Sequence, residues 1–152
     1  MKPYYGSNFL ALSTQYSSQW FEFLHQPAGS LTQSLKFTLA NLVPRYVDKA
    51  MLTGFYFQLE LSPGISLPAG NNFIKFYFTG IAQPVAVKLD TKGQFIYAFG
   101  TDISLKSVEG LCTVEFVLAD VPVELKKDGL LNPELINDIK LILFKKGEMI
   151  WR

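Results

Sequence analysis

Charged residues are scarce in this chain of 152 residues. They make up 18% of it, as 14 basic and 13 acidic residues, and the net formal charge is +1. Such a chain has no long-range field to attract a polyanion, and its basic residues form no run of five or more. Direct binding of nucleic acid is therefore not expected. Apolar residues make up 49%, which excludes disorder and gives a single domain of this length a substantial core.

Side chains that perform catalysis are scarce as well. The sequence has one cysteine, Cys112, and one histidine, His25. A lone cysteine makes no internal disulfide, and Cys112 lies in an alternating stretch typical of a buried strand. A Ser-His-Asp catalytic triad or a Cys-His dyad would have to use His25, and no nucleophile motif accompanies this histidine. Glu22 and His25 are too few to hold a metal. We predict no enzymatic activity, no cofactor and no metal site.

Long hydrophobic runs are lacking too. The apolar stretch 9–12 is shorter than the 7–15 residues that a signal peptide needs, and the uncharged stretch 3–21 is rich in Ser, Thr, Gln and Asn, which are costly in hydrocarbon. The sequence predicts no signal peptide, no transmembrane segment and no membrane partner. The expected location is a virion or the cytoplasm.

Alternation of apolar and polar residues dominates the chain from residue 35 onwards. Leu35, Phe37 and Leu39 share one face of a predicted strand, and eight or nine short strands follow one another between turn residues. No βαβ pattern is present, so we predict an all-β fold, an antiparallel β-sandwich with a jelly-roll topology. An immunoglobulin-like sandwich is the second choice, because the Cys…Trp…Cys spacing is missing. The sequence Asn132-Pro133-Glu134 predicts one short helix near residues 133–138.

The first 34 residues do not fit this alternation. Only two charged residues, Lys2 and Glu22, lie in the first 35 positions. A free segment of this composition would be sticky, so it is covered by its own domain or by another chain. We predict an N-terminal arm (1–34) ahead of a single sandwich domain (35–152). Its large apolar residues are the predicted subunit-interface residues: Tyr4, Tyr5, Phe9, Leu12, Tyr16, Trp20, Phe21 and Phe23.

Aromatic residues are abundant, at 14% of the chain. Most phenylalanines fall on the inward phase of predicted strands, whereas Tyr56 and Tyr77 fall on the opposite face. Together with Trp151 they form a possible ligand or interface face, because tyrosine and tryptophan suit both sugar rings and protein interfaces.

These features favour a non-enzymatic structural protein of a large assembly. The most specific form of this hypothesis is a viral (bacteriophage) virion component, such as a capsid, decoration or tail-associated subunit. Its partners would be protein subunits, either copies of itself or other assembly proteins. The alternative is a carbohydrate-binding β-sandwich module, with carbohydrate as the ligand.

Overall fold

A computed structural model describes residues 2–150, and most of their regular structure is strand. The strands in chain order are β1 (Lys2–Ala11), β2 (Thr32–Leu39), β3 (Val47–Leu61), β4 (Ile74–Tyr77), β5 (Val85–Val87), β6 (Gln94–Ser104), β7 (Gly110–Val117), β8 (Lys126–Lys127), β9 (Leu130–Leu131) and β10 (Ile136–Met149). The short α-helices are α1 (Leu12–Gln15), α2 (Ser17–Leu24) and α3 (Leu105–Val108). The strand pairs are antiparallel.

Two four-stranded sheets form a sandwich. Sheet 1 has the order β1-β10-β3-β6, and sheet 2 has the order β2-β7-β4-β5, while β8 and β9 form a separate hairpin. Strands that follow one another in the chain mostly lie in opposite sheets, and each sheet interleaves early and late strands. This order is that of two interlocking Greek keys, the jelly-roll topology. The predictions of an all-β antiparallel sandwich and of jelly-roll topology are confirmed.

The core lies between the sheets and follows the alternation of the sequence. Leu35, Phe37 and Leu39 of β2 are buried, as are Phe55 and Phe57 of β3. Rings from the two sheets meet in the middle of the sandwich. The Phe55 and Phe76 centroids are 5.5 Å apart, and those of Phe37 and Phe76 are 6.1 Å apart, distances at which aromatic pairs attract.

The predicted separation of an arm (1–34) from the sandwich requires correction. β1 is an edge strand of sheet 1 and pairs with β10 over its full length, from Lys2 opposite Met149 to Ala11 opposite Lys140. The predicted boundary at residue 34 falls inside β2. Leu12 and Phe23 are both fully buried. The low charge of this segment therefore has a structural cause, since the segment supplies a strand of the sheet and side chains of the core.

The predicted helix near residues 133–138 is wrong. Residues 133–135 form a turn, in which the Glu134 N–H donates to Asn132 Oδ1 at 3.1 Å and the Leu135 N–H donates to the Asn132 carbonyl at 3.1 Å. The Asn132 side chain thus makes a bond typical of a helix N-cap, but here that bond closes a turn. Residues 136 onwards alternate in burial and pair with β3, and this long-range pairing outweighs the local helix signal.

Candidate functional site

The outward face of sheet 1 carries a row of apolar side chains that crosses all four strands. The register places Phe9 of β1 opposite Ile142 of β10, Ile142 opposite Tyr56 of β3, and Tyr56 opposite Ile96 of β6. Phe9 is 58% exposed and Ile96 is 72% exposed, while Tyr56 and Ile142 are half-buried between them. We call these four residues the outer apolar row. Water-exposed apolar side chains that adjoin one another in this way are typical of a surface that another molecule covers.

The outer apolar row is flanked by charges that are paired within the chain. Toward one end of the strands the Lys140 ammonium contacts the Glu60 carboxylate, and toward the other end Lys146 Nζ lies 2.6 Å from Asp102 Oδ2. Each bond raises the pKa of its lysine, because the partner carboxylate stabilises the ammonium form. An apolar centre with a polar rim is the usual anatomy of a protein–protein interface.

The outward face of sheet 2 is different in kind. One cross-strand row there contains Lys36, Thr113 and Tyr77, and the next contains Ser34, Glu115, Lys75 and Ala86. The Tyr77 hydroxyl donates to Glu115 Oε1 at 3.3 Å. Burial raises the pKa of Tyr77, and the Glu115 carboxylate adds to this effect. Tyr77 therefore belongs to a polar face, apart from Tyr56.

The predicted interface residues separate into buried and exposed groups. Leu12 and Phe23 are core residues of their own domain, so they are not available to a neighbouring subunit. Tyr16 and Trp20 are half-buried against the core, and the Tyr16 hydroxyl donates to the Thr38 carbonyl at 3.0 Å. The exposed members are Tyr5 at 77%, Phe9 at 58% and Phe21 at 63%. Contact between these exposed residues and another subunit stays a prediction.

Tyr4 lies on the face of β1 opposite to that of Phe9, beside the buried lysine Lys145. Lys145 Nζ donates to the Leu42 carbonyl at 3.0 Å and lies 5.9 Å from the centroid of the Tyr4 ring. The Tyr4 ring also meets the Tyr46 ring edge-on, with 6.0 Å between centroids. Burial lowers the pKa of Lys145. These contacts anchor the β1 strand to the loop that follows β2, so Tyr4 has a structural role. Trp151 lies outside the described residues.

The metal-ligating side chains of the described residues do not converge. Among residues 2–150, no group of three or more His, Cys, Asp and Glu side chains is placed to hold a metal ion. His25 stacks on Phe21, with ring centroids 4.0 Å apart, and its Nδ1 lies 2.8 Å from the Phe21 carbonyl oxygen. Cys112 is buried, and this burial raises the pKa of its thiol to about 11. A thiol held in the neutral form is a poor nucleophile.

The sequence identified two of the four residues in the outer apolar row, Phe9 and Tyr56, and missed Ile96 and Ile142. Each of the missed residues lies in an alternating strand in which either phase could face the core. Cross-strand register brings them beside Phe9 and Tyr56, and register is set by contacts between residues far apart in the chain. A search for apolar residues on the polar phase of each predicted strand would have found Ile96.

No helix within residues 2–150 has the length and apolar character needed to cross a bilayer.

No protein-family model matches the sequence, and no curated protein matches it. Similarity to solved structures does exist. A chain in a cryo-EM structure of Yersinia pseudotuberculosis TcaA-TcaB superposes with a TM-score of 0.55 at 15% sequence identity. The match covers 97% of this chain and 10% of that chain, so the present sequence corresponds in length to a small part of that protein. At this identity the similarity concerns the fold.

Proposed function

We propose that this chain is a non-enzymatic structural subunit of a multi-protein assembly and that it contacts its neighbours through the outward face of sheet 1. The observation that carries this proposal is the outer apolar row, Phe9-Ile142-Tyr56-Ile96, which crosses the whole sheet in register. In a lone sandwich the outward phase of each strand is normally polar, and on sheet 2 the rows through Thr113 and Glu115 are mainly polar.

The charges around the row indicate the chemistry of the neighbour. Because Lys140 is paired with Glu60 and Lys146 with Asp102, the rim presents little unbalanced charge. The complementary surface is therefore apolar at its centre and close to neutral overall, which describes a protein surface better than a polyanion or an anionic membrane.

The more specific prediction of a virion component rests on the fold. Jelly rolls occur in viral capsid proteins and also in lectins and other domains. The similar fold within the TcaA-TcaB structure supports the broader class, a structural part of a multi-protein assembly. In that structure the fold is one part of a much longer chain.

The carbohydrate alternative has less support from the site. Sugar stacking needs an open aromatic ring face, whereas Tyr56 is half-buried between Ile142 and Ile96, and Tyr77 is bonded to Glu115. Carbohydrate binding is therefore the competing outcome of the experiment that tests the proposal.

The experiment compares Ile96→Asp with the matched control Leu111→Asp in cells that make the protein. Leu111 is 55% exposed and lies on the outward face of sheet 2. We expect the native chain and Leu111→Asp to sediment in a high-mass fraction of the lysate, and Ile96→Asp to be lost from that fraction and to sediment at low mass. The proposal is overturned if the native chain sediments only at low mass, or if Ile96→Asp stays in the high-mass fraction. Retention on a polysaccharide matrix that is lost in Tyr56→Ala would favour the carbohydrate alternative.

A further inference from the structure

Four strands lie at the edges of the two sheets, and β1 is the edge strand with the least protection. Edge strands are usually kept from pairing with other chains by shortness, charge, proline, bulges or a covering element. At the other edges, β5 has three residues, β2 packs beside α2 and carries Lys36, and β6 has an irregular register and carries Asp102. β1 is ten residues long, pairs with β10 in continuous register, and has its one charged residue and its one proline, Lys2 and Pro3, in its first two positions.

The backbone of β1 presents a short, bounded set of free hydrogen-bonding groups. Proline in an edge strand directs its nitrogen away from the neighbouring strand, and alternate residues of a strand point the same way. Tyr5, Ser7 and Phe9 therefore share the outward direction of Pro3. Within the described residues their N–H groups have no partner outside the ladder with β10. At the far end the Ala11 N–H is already bonded to Gln15 Oε1 at 2.6 Å.

This set is symmetric about Ser7. An antiparallel partner centred there would place Ser7 opposite the partner's Ser7, and Tyr5 opposite the partner's Phe9. Those pairs use the free N–H groups of Tyr5, Ser7 and Phe9. The pairing ends on either side of them, because Pro3 has no N–H and the Ala11 N–H is already bonded to Gln15. The side chains agree with this register, because Tyr5 and Phe9 are exposed and would form two aromatic cross-strand pairs. No like charges would be brought opposite one another.

We propose that two copies of this chain pair through their β1 edges, antiparallel about a two-fold axis at Ser7, into one continuous eight-stranded sheet. The partner is a second copy because the free donors, the aromatic side chains and the lack of charge are all self-complementary about this residue. Such pairing is a common mode of strand addition at an open edge. It also brings the two outer apolar rows onto one face. The proposal does not rest on the proposed function.

Oxidative cross-linking tests this geometry directly. Cα atoms of a hydrogen-bonded antiparallel pair lie about 5.5 Å apart, within the range that a disulfide spans. Ser7→Cys should therefore form a covalent dimer under mild oxidation. Thr101→Cys, exposed on the β6 edge, is the matched control and should stay monomeric. The native thiol does not interfere, because Cys112 is fully buried.

A second pair of variants keeps the test independent of disulfide chemistry. Ser7→Lys places two ammonium groups at the two-fold axis and should abolish the dimer in sedimentation equilibrium, while Thr101→Lys should leave it unchanged. Both substitutions are on exposed side chains, so the fold is expected to persist, and circular dichroism checks this. Equal cross-linking of the two cysteine variants, a monomer at all concentrations, or a dimer that survives Ser7→Lys would overturn the proposal. None of these outcomes changes the expectation for Ile96→Asp, which tests the face of sheet 1.

Discussion

The side-chain amide of Gln33 lies in the core and donates a hydrogen bond to the backbone carbonyl of Phe23, with 2.7 Å between Nε2 and O. The same side chain accepts a hydrogen bond from the Leu131 N–H, with 2.9 Å between N and Oε1. Gln33 thus joins α2, β2 and β9 at the side of the sandwich where α1 and α2 connect the two sheets. A buried amide is stable there because both of its ends are satisfied.

Removal of this amide should destabilise the domain. In Gln33→Leu the side chain has a similar size, but the Phe23 carbonyl and the Leu131 N–H lose their partners. Unsatisfied buried groups cost about 1–3 kcal/mol, and we expect a loss of that size in the free energy of unfolding by urea. Gln19→Leu is the control, because Gln19 is exposed on α2 and its replacement should change the free energy by less than about 0.5 kcal/mol. Equal effects of the two variants would contradict the bridging role.

The N-terminal segment should behave as core. Leu12 is fully buried, so Leu12→Ala should lower the free energy of unfolding by about 2–5 kcal/mol. Phe21→Ala removes a larger side chain from the same segment, but Phe21 is 63% exposed, and its loss should cost less than about 1 kcal/mol. Deletion of residues 1–30 should prevent folding, because it removes β1 together with Leu12 and Phe23. A cooperative unfolding transition in the deleted chain would restore the prediction of a separable arm.

The turn between β5 and β6, which carries the chain from sheet 2 to sheet 1, depends on one glycine. Gly93 has φ of +78°, its N–H donates to the Asp90 carbonyl at 3.0 Å, and a Cβ at this position would overlap the Leu59 carbonyl oxygen. Gly93→Ala should therefore lower the free energy of unfolding by about 1–3 kcal/mol. Gly100→Ala is the matched control, since a Cβ there meets nothing and its φ lies outside the left-handed range. Thermal unfolding that ranks Gly100→Ala as the more damaging variant would contradict this account.

Cys112 should react with thiol reagents only when the domain unfolds. The thiol is fully buried, and its pKa is raised to about 11 from 9.0. At pH 8 this shift alone lowers the thiolate fraction by about 100-fold, and burial blocks the reagent as well. The rate of labelling by an aromatic disulfide should therefore follow the unfolding equilibrium across a urea titration. Rapid labelling without denaturant would show that the core around β7 opens locally.

The strands and the core could be predicted because each depends on local alternation. Leu35, Phe37 and Leu39 repeat with a period of two, and nothing in the structure competes with that signal. The turn at Asn132 shows where local signals fail. Asparagine followed by proline suits both a helix start and a turn, and the choice between them depends on whether residues 136 onwards find a strand partner.

The place of the N-terminal segment could not be predicted for a related reason. Its lack of charge indicates that it is covered, but the covering strand, β10, lies more than 120 residues away in the sequence. The candidate site also depends on long-range strand pairing. Phe9 and Ile96 belong to one row only because β10 and β3 lie between their strands in the sheet.

Alkaline pH should weaken the fold through Cys112. The pKa of the thiol is 9.0 when unfolded and about 11 when folded, so the folded state keeps its proton over that range while the unfolded state loses it. The stability that the protonated thiol contributes to the folded state is fully present below pH 9 and is lost as the pH rises through 11. Relative to Cys112→Ala, the native chain should lose about 1 kcal/mol of unfolding free energy between pH 8 and pH 10. Lysine and tyrosine side chains titrate in both proteins, so their effects cancel in this difference. Parallel stability curves for the two proteins over that interval would show that the thiol is not the titrating group.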